Sequence, residues 1–578
     1  MVSKSILSLL IFFLFLGSIF AIRFKIRNYF LNFFLNSILI SIFLSWILIS
    51  LIIIFNFKIN IFLLSFFLVI VFLFYNRNIS LKTHLGDKRE IYFFLYSILL
   101  IIIISLNYVK SHYSFTFNMH DALAWWNQFA INIFEKNYKG NIGYPILFPG
   151  LWSLIYISQG NADFWLFSKI SLLISPIILL TIIANFYYLK KFTLSIYGLL
   201  IFIIFYLFDP LKSYTLSGYM DVPLSIFTFS SLLLMTYYIL EKKLSDYKLR
   251  IFQIALITGL AMIIKQAGIF LLIVFGYFLF FLNKKKLSKI DYLNIFIVIF
   301  TPFLFYLIND FQFINFELLK SLKSQSNQSL EVANFKNYFL QNFLHITKVY
   351  NPILFIFLLY CAISTFFKTK KDKIDRFCIF NFLIFCFLLI FYSVCCSYDY
   401  RGIIVSSPFL FISSYQRINL IFLKTITYKK NSILDYSNFK NLFVIFFVVI
   451  NLILIFLPKN VDNLLTFFND EKKKQIVNYE QSKRIYNSLY KSECGILISN
   501  ESLLNYNPHI ILLENRFNFV NNINLDKIKN LPKCDDSHFI WFAYWTPRNN
   551  QEWNKMIDYL QSNNFKTIDD LELIYKSE

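Results

Sequence analysis

Residues 251–282 read IFQIALITGLAMIIKQAGIFLLIVFGYFLFFL, and this stretch decides the fold. It is largely apolar, and basic segments flank it at residues 241–250 and 283–290. Because segments rich in Lys and Arg stay on the cytoplasmic side of a membrane, the chain between them must cross the membrane an even number of times. The spacing therefore predicts two short helices that turn near Lys265–Gly268, at the outer face of the membrane.

The rest of the chain repeats this alternation of apolar and basic segments. Of its 578 residues, 57% are hydrophobic and only 15% are charged, which leaves too little polar surface for a soluble domain. Apolar runs of the length that crosses roughly 30 Å of hydrocarbon recur from Ile6 to Leu457. We therefore expect an all-α polytopic membrane protein with about 12 to 14 transmembrane helices.

The net charge of +22 raises the question of nucleic-acid binding. The excess of Lys and Arg lies in alternate loops between the apolar runs, whereas the chain after Pro458 is close to neutral. This distribution is the positive-inside pattern of a membrane protein, and it indicates no nucleic-acid partner. It predicts a multi-pass protein of the cytoplasmic membrane, in contact with membrane lipids, whose first large loop and C-terminal region are extracytoplasmic.

Four regions follow from this topology. We predict N-terminal transmembrane helices in residues 1–108, a large extracytoplasmic loop with juxtamembrane helices in 109–163, a transmembrane core in 164–457, and a small soluble α/β domain in 458–578. The last region holds short strand-like runs at residues 495–499, 509–514 and 539–545 and an amphipathic helix at 550–563. It also contains Cys494 and Cys534, which outside the cytoplasm either form one disulfide or stay free thiols.

The first candidate for chemistry is the loop at residues 115–150, FTFNMHDALAWWNQFAINIFEKNYKGNIGYPILFPG. It contains Asp121 beside His120, a Trp pair, and two turns with proline, the first at Tyr144. A loop acid is usually only solvated, and tryptophans at an interface usually serve as anchors. The aromatic setting instead favours a folded loop. In that loop Asp121 is a candidate catalytic carboxylate, and His120 and Tyr144 are candidate substrate contacts.

A second acid, Asp221, stands in SGYMDVP at residues 217–223, where a transmembrane helix is predicted to begin. Alone, such an acid is usually a helix cap that the helix dipole favours. If it faces the same cavity as Asp121, it is a second catalytic candidate that orients an acceptor or a metal ion, with Tyr219 as a neighbouring substrate contact.

Two cations complete the set. Lys265 lies at the turn of residues 251–282, and Arg401 lies in SYDYRGIIVSSPF at residues 397–409, both at predicted outer helix ends. Each could simply extend to lipid headgroups. Two cations at one membrane face also match the phosphate of an embedded lipid, which lies at this depth.

The sequence lacks the motifs of several other enzyme classes. It contains no GxxxxGK[ST], HExxH or GxSxG motif, which argues against nucleotide hydrolysis, zinc proteolysis and serine hydrolysis. A transporter or flippase of lipid-linked sugars stays an alternative, although no inverted repeat is visible. A non-enzymatic envelope assembly protein is the other alternative.

In their order along residues 115–410, these elements resemble the GT-C superfamily of integral membrane glycosyltransferases. That group contains protein O-mannosyltransferases and the aminoarabinose transferase of lipid A. The elements are an acid in the first outer loop, a YP-x-x-x-P segment, a GY-x-D-x-P element, a GLA-x-x-x-K-x-x-G element, and an Arg followed by Pro. They correspond to Asp121; Tyr144, Pro145 and Pro149; Gly218, Tyr219, Asp221 and Pro223; Gly259, Lys265 and Gly268; and Arg401 and Pro408.

The resemblance implies a GT-C-like core that moves a sugar, with inversion, from a polyprenyl-phosphate donor to a hydroxyl of a lipid, glycan or protein acceptor. It implies Asp121 as the general base and Lys265 and Arg401 as ligands of the lipid phosphate. Asp221 would orient the acceptor or, with Asp121, a divalent cation such as Mg, Mn or Zn. The chain departs from the family in its extra N-terminal helices and in the single Asp of its first loop.

Overall fold

The computed structural model describes the helical part of the chain and five strands near its C-terminus. The described residues are 16–17, 30–55, 60–76, 122–136, 147–160, 162, 166–189, 191–207, 218–241, 247–283, 287–313, 352–395, 401–428, 495–497, 517–519, 539–541, 551–567 and 574–577. The chain divides into two compact units. The first comprises Met1–His112, Phe129–Ala162 and Leu166–Leu457, and the second comprises Tyr113–Gln128, Asp163–Trp165 and Pro458–Glu578.

Most of the described residues are helical. The α-helices are α1 Phe30–Phe55, α2 Ile61–Asn76, α3 Gln128–Glu135, α4 Leu147–Gln159, α5 Leu166–Ser171, α6 Ile174–Tyr188, α7 Phe192–Leu207, α8 Asp221–Leu240, α9 Tyr247–Met262, α10 Ile269–Tyr277, α11 Lys289–Phe313, α12 Pro352–Phe366, α13 Lys373–Cys395, α14 Arg401–Tyr428 and α15 Gln551–Ser562. Single π-helical turns occupy Ala122–Asn127 and Phe278–Leu282, and a 3-10 turn occupies Gln266–Gly268.

Four helical segments within the described ranges are long and apolar enough to cross a membrane. They are Leu31–Phe55, Phe167–Tyr187, Asp221–Leu240 and Lys373–Tyr392. Their length and composition indicate a helical membrane protein, as the sequence predicts. The full count of 12 to 14 helices and the sidedness of the loops stay predictions.

Helix α8 lies at the centre of the first unit. Every residue from Asp221 to Ile239 is buried, and α8 packs against α6, α9 and α14. By contrast, α13 leaves Leu383, Phe387 and Ile390 exposed, as expected for a helix that faces lipid. The centre of the bundle is therefore the place where α8 can hold a polar side chain away from lipid.

The chain between α9 and α10 breaks where the sequence predicts a turn. Helix α9 ends at Met262, Lys265 has an extended backbone with φ −158° and ψ 151°, and α10 begins at Ile269. A Cβ on Gly268 would lie 2.3 Å from the Ala261 carbonyl oxygen, so only glycine fits this close approach of the backbone to itself. The helix is therefore interrupted at the predicted position, and the crossing of the membrane by both helices stays a prediction.

Helix α9 is held against α11 by a second glycine. A Cβ on Gly259 would lie 3.0 Å from the Val298 carbonyl oxygen of α11, so the two backbones approach as closely as small-residue helix crossings do in membranes. Near this crossing, the indole of Trp46 in α1 donates a hydrogen bond of 3.1 Å to the Pro302 carbonyl of α11. These contacts fix α1, α9 and α11 as a group.

Two helices begin with reciprocal capping bonds. At α11 the backbone N–H of Ser288 donates to the Asp291 carboxylate (2.9 Å), and the Asp291 N–H donates to the Ser288 hydroxyl (3.2 Å). At α13 the pair is Asp372 and Asp375, with bonds of 2.9 and 2.8 Å. Both satisfy N–H groups that a helix start otherwise leaves open.

The C-terminal strands form one mixed sheet in the second unit. The strands are β1 Gly495–Leu497, β2 Phe517–Phe519, β3 Phe539–Trp541, β4 Phe565–Thr567 and β5 Ile574–Ser577, in the order β2-β1-β3-β5-β4. Strand β1 pairs in parallel with β2 and β3, and β5 pairs antiparallel with β3 and β4. Strands β1 and β3 lie within predicted strands, and α15 lies within the predicted amphipathic helix. The predicted strand at 509–514, Cys494 and Cys534 lie outside the described residues.

Candidate functional site

Asp221 opens α8 and is buried. Gly218, with φ 94°, makes the turn that leads the chain into the helix, a conformation that favours glycine. Met220 occupies the capping position, and it makes no side-chain cap bond. Asp221 is therefore not the cap residue of α8, and its main contact lies in another part of the chain.

The main contact of Asp221 is Lys265. The ammonium of Lys265 donates to Asp221 Oδ1 at 2.6 Å, a short charge-assisted hydrogen bond. The two side chains differ in burial, because 21% of Lys265 is exposed against 3% of Asp221. Lys265 is therefore the more accessible member of the pair.

The break in the chain gives Lys265 this position. Two residues before it, the Ile263 carbonyl accepts a hydrogen bond of 3.0 Å from the Leu147 N–H at the start of α4. Helix α4 is also seated on α1, because Gly150 lies against Ile49 and Trp46. The start of α4 is therefore attached next to Lys265.

Helix α14 reaches the same region through α8. The Ser225 hydroxyl, one turn after Asp221, bonds to the Ile404 carbonyl of α14 at 2.8 Å. Arg401 begins α14 three residues before Ile404, so its backbone lies within about 5 Å of that contact along the helix axis. The structure describes the backbone of Arg401 but not its side chain.

Three helices begin within a few residues of the ion pair or of contacts adjacent to it in the chain. Helix α8 begins at Asp221, α4 begins at the bond to Ile263, and α14 begins within a turn of the contact with Ser225. The N-terminus of a helix carries a partial positive charge and unpaired N–H groups. Together with the partly exposed ammonium, this arrangement favours an anionic ligand over a cationic one.

The remaining predicted site residues are only partly covered. Asp121, His120 and Tyr144 lie outside the described residues. Tyr219 is half-buried in the turn that precedes Asp221. The structure thus brings Asp221 and Lys265 together, while the grouping of Asp121 with Lys265 and Arg401 stays a prediction.

The described part of the chain contains no group of three His, Cys, Asp or Glu side chains that could hold a metal ion. The Asp221 carboxylate bonds to an ammonium, which is a poor arrangement for a metal ligand. The residues that are described do not fit a divalent cation, and the predicted cation depends on Asp121.

Sequence reasoning treated Arg250 only as part of a basic loop, but this side chain is buried. Its guanidinium donates to Asn32 Oδ1 of α1 at 2.8 Å and to Gln253 Oε1 at 3.0 Å, and it lies 5.6 Å from the ring centroid of Tyr237. The Asn185 amide of α6 also donates to Asn32. The sequence feature that could have predicted this clamp of α1, α6 and α9 is the presence of Asn in otherwise apolar helices.

No family model, curated protein or solved structure matches the chain.

Proposed function

We propose that the protein is a membrane glycosyltransferase, which moves a sugar from a polyprenyl-phosphate donor to an acceptor hydroxyl at the outer face of the cytoplasmic membrane. The observation that supports this best is the Asp221–Lys265 ion pair, at 2.6 Å, in a region where three helices begin. A lysine held at this position offers an ammonium to the phosphate of a lipid.

Lys265 binds the donor phosphate in this mechanism. An ammonium has three N–H donors, and the bond to Asp221 uses one of them. The others are available to phosphate oxygens, with support from the dipole of α8 and from Arg401 at the start of α14. The same contacts stabilise the charge that grows on the leaving oxygen.

Asp121 acts as the general base of this mechanism. The acceptor oxygen bonds to the anomeric carbon while the bond from that carbon to the phosphate oxygen breaks. The electron pair of the broken bond stays on the phosphate, and the proton of the acceptor hydroxyl goes to Asp121. Attack opposite the phosphate inverts the configuration. His120, Tyr144 and Tyr219 contact the substrates.

Asp221 is a positioning residue rather than a metal ligand in this mechanism. Its carboxylate holds the Lys265 ammonium at the mouth of the site, where an untethered lysine would sample many rotamers. The acceptor is a lipid, glycan or protein hydroxyl.

A transfer assay with matched variants tests the proposal. Membranes that contain the full chain, or its Asp121→Asn or Lys265→Gln variant, are incubated with labelled polyprenyl-phosphate sugars, and the labelled product is identified. Asp121→Asn is expected to lose transfer at normal expression, and Lys265→Gln is expected to lose transfer per amount of folded protein. The matched control is Lys248→Gln, which removes another lysine paired with an Asp, at 2.9 Å, and should retain activity. Transfer that persists in Asp121→Asn contradicts the role of Asp121 as the general base. Absence of transfer in membranes that contain the wild-type chain contradicts the enzyme and favours the flippase alternative.

A further inference from the structure

We propose that Asp221 also makes the site release the spent lipid carrier. This inference rests on the proposed function, since it concerns the two charge states of the same carrier. The sugar-loaded donor is a phosphodiester with one negative charge. The spent carrier is a phosphomonoester, whose charge near pH 7 is about −1.5 to −2.

The problem that Asp221 solves is product inhibition. Coulomb attraction grows with the charge of the ligand, so a site built only from cations and helix N-termini holds the spent carrier more tightly than the donor. Such an enzyme would stay occupied by its product after each transfer. A fixed negative charge beside the phosphate reduces this preference.

The geometry gives Asp221 that effect. Its carboxylate is 3% exposed, opens a helix that is buried almost to its end, and contacts the ammonium at 2.6 Å, so it stays near any ligand of Lys265. A phosphate oxygen that accepts from the same ammonium at about 2.8 Å would lie about 5 Å from the carboxylate. The additional charge of the spent carrier therefore develops next to a buried anion.

The size of the effect follows from this separation. The spent carrier has about half to one charge more than the donor. At about 5 Å, with an effective dielectric constant near 40 for a partly exposed site, repulsion of that extra charge weakens binding of the monoester relative to the diester by about 4- to 15-fold. Asp221→Asn keeps an oxygen acceptor for the Lys265 ammonium, so comparison of the wild type with that variant isolates the charge of Asp221.

Binding measurements with two lipids test the inference. The full-length protein in lipid nanodiscs is titrated with undecaprenyl phosphate and with its methyl diester, and the ratio of the two dissociation constants is determined. The same ratio is measured for Asp221→Asn and Asp221→Ser, which remove the charge and keep a hydrogen-bonding group. Asp291→Asn is the control, since it removes the acid of the distant Lys248–Asp291 pair.

The wild type is expected to bind the two lipids within about threefold of each other, and the neutral variants should shift the ratio by about 4- to 15-fold towards the monoester. Asp291→Asn should leave the ratio unchanged. An unchanged ratio in the neutral variants overturns the inference. If those variants do not fold, a wild type that binds the monoester more than about tenfold tighter than the diester overturns it too. A wild type that binds neither lipid contradicts the proposed function itself.

Discussion

Replacement of Lys265 by Met should destabilise the protein strongly, because it leaves the Asp221 carboxylate buried without its cation. With 3% of Asp221 exposed, the expected loss in the free energy of unfolding is about 3 to 5 kcal/mol. Replacement of Asp221 by Asn should cost less, about 1 to 2 kcal/mol, because 21% of the remaining Lys265 side chain is exposed and Asn keeps an oxygen that accepts from its ammonium.

The double variant is the informative one. With both charges absent, neither group is left buried and uncompensated, so the variant should be more stable than Lys265→Met alone, with a coupling energy of at least about 2 kcal/mol. The assay is denaturant unfolding of the purified protein in detergent micelles, for the wild type, both single variants and the double variant.

The Lys248–Asp291 pair supplies the control cycle. It joins the same residue types at 2.9 Å, but 58% of Lys248 is exposed, so its coupling energy should be clearly smaller. Effects of the two single substitutions that simply add in the double variant, within about 0.5 kcal/mol, would refute a coupling between Lys265 and Asp221. Additive effects would mean that the two side chains do not interact.

Three further substitutions test the packing around the site. Gly268→Ala should destabilise by about 1 to 3 kcal/mol and lower transfer, because its Cβ would lie 2.3 Å from a backbone oxygen. The control Gly276→Ala, whose Cβ would have no atom within 4 Å, should be neutral or stabilising in the same unfolding assay. Trp46→Phe should cost about 1 kcal/mol through the lost indole bond to α11, measured as a lower midpoint of thermal unfolding. Asn32→Leu should destabilise by about 2 kcal/mol or more, because it removes the acceptor shared by two buried donors. Asn36→Leu removes the acceptor of one donor, Gln253, and should cost less when both variants are unfolded in micelles.

The break at Lys265 could be predicted from the sequence because it follows from charge parity. Two basic ends and a short apolar stretch require a turn, whatever the surrounding helices do. The bond between Lys265 and Asp221 could not be predicted in the same way. The two residues lie far apart in the chain and in different elements, so no helical or strand periodicity relates them. Only the packing of α8 against α9 brings them together.

Burial of charge was the other point that the sequence did not reveal. Arg250 stands in a basic loop, where the positive-inside rule explains it fully. Its burial depends on Gln253, three residues later in the same helix, and on Asn32, which comes from a helix far away in the chain. Strands β2, β4 and β5 were missed because polar residues interrupt them, whereas β1 and β3 lie in longer apolar runs.

The bond between the Leu147 amide and the Ile263 carbonyl also constrains how the protein is made. Helix α4 leaves the ribosome well before its acceptor, and chain synthesis proceeds at only about 5 to 20 residues per second. The start of α4 must therefore wait without this partner until the chain around Ile263 has been synthesised. During that interval the nascent loop is open to proteases and chaperones, and a variant that delays the turn at Gly268 prolongs this exposure.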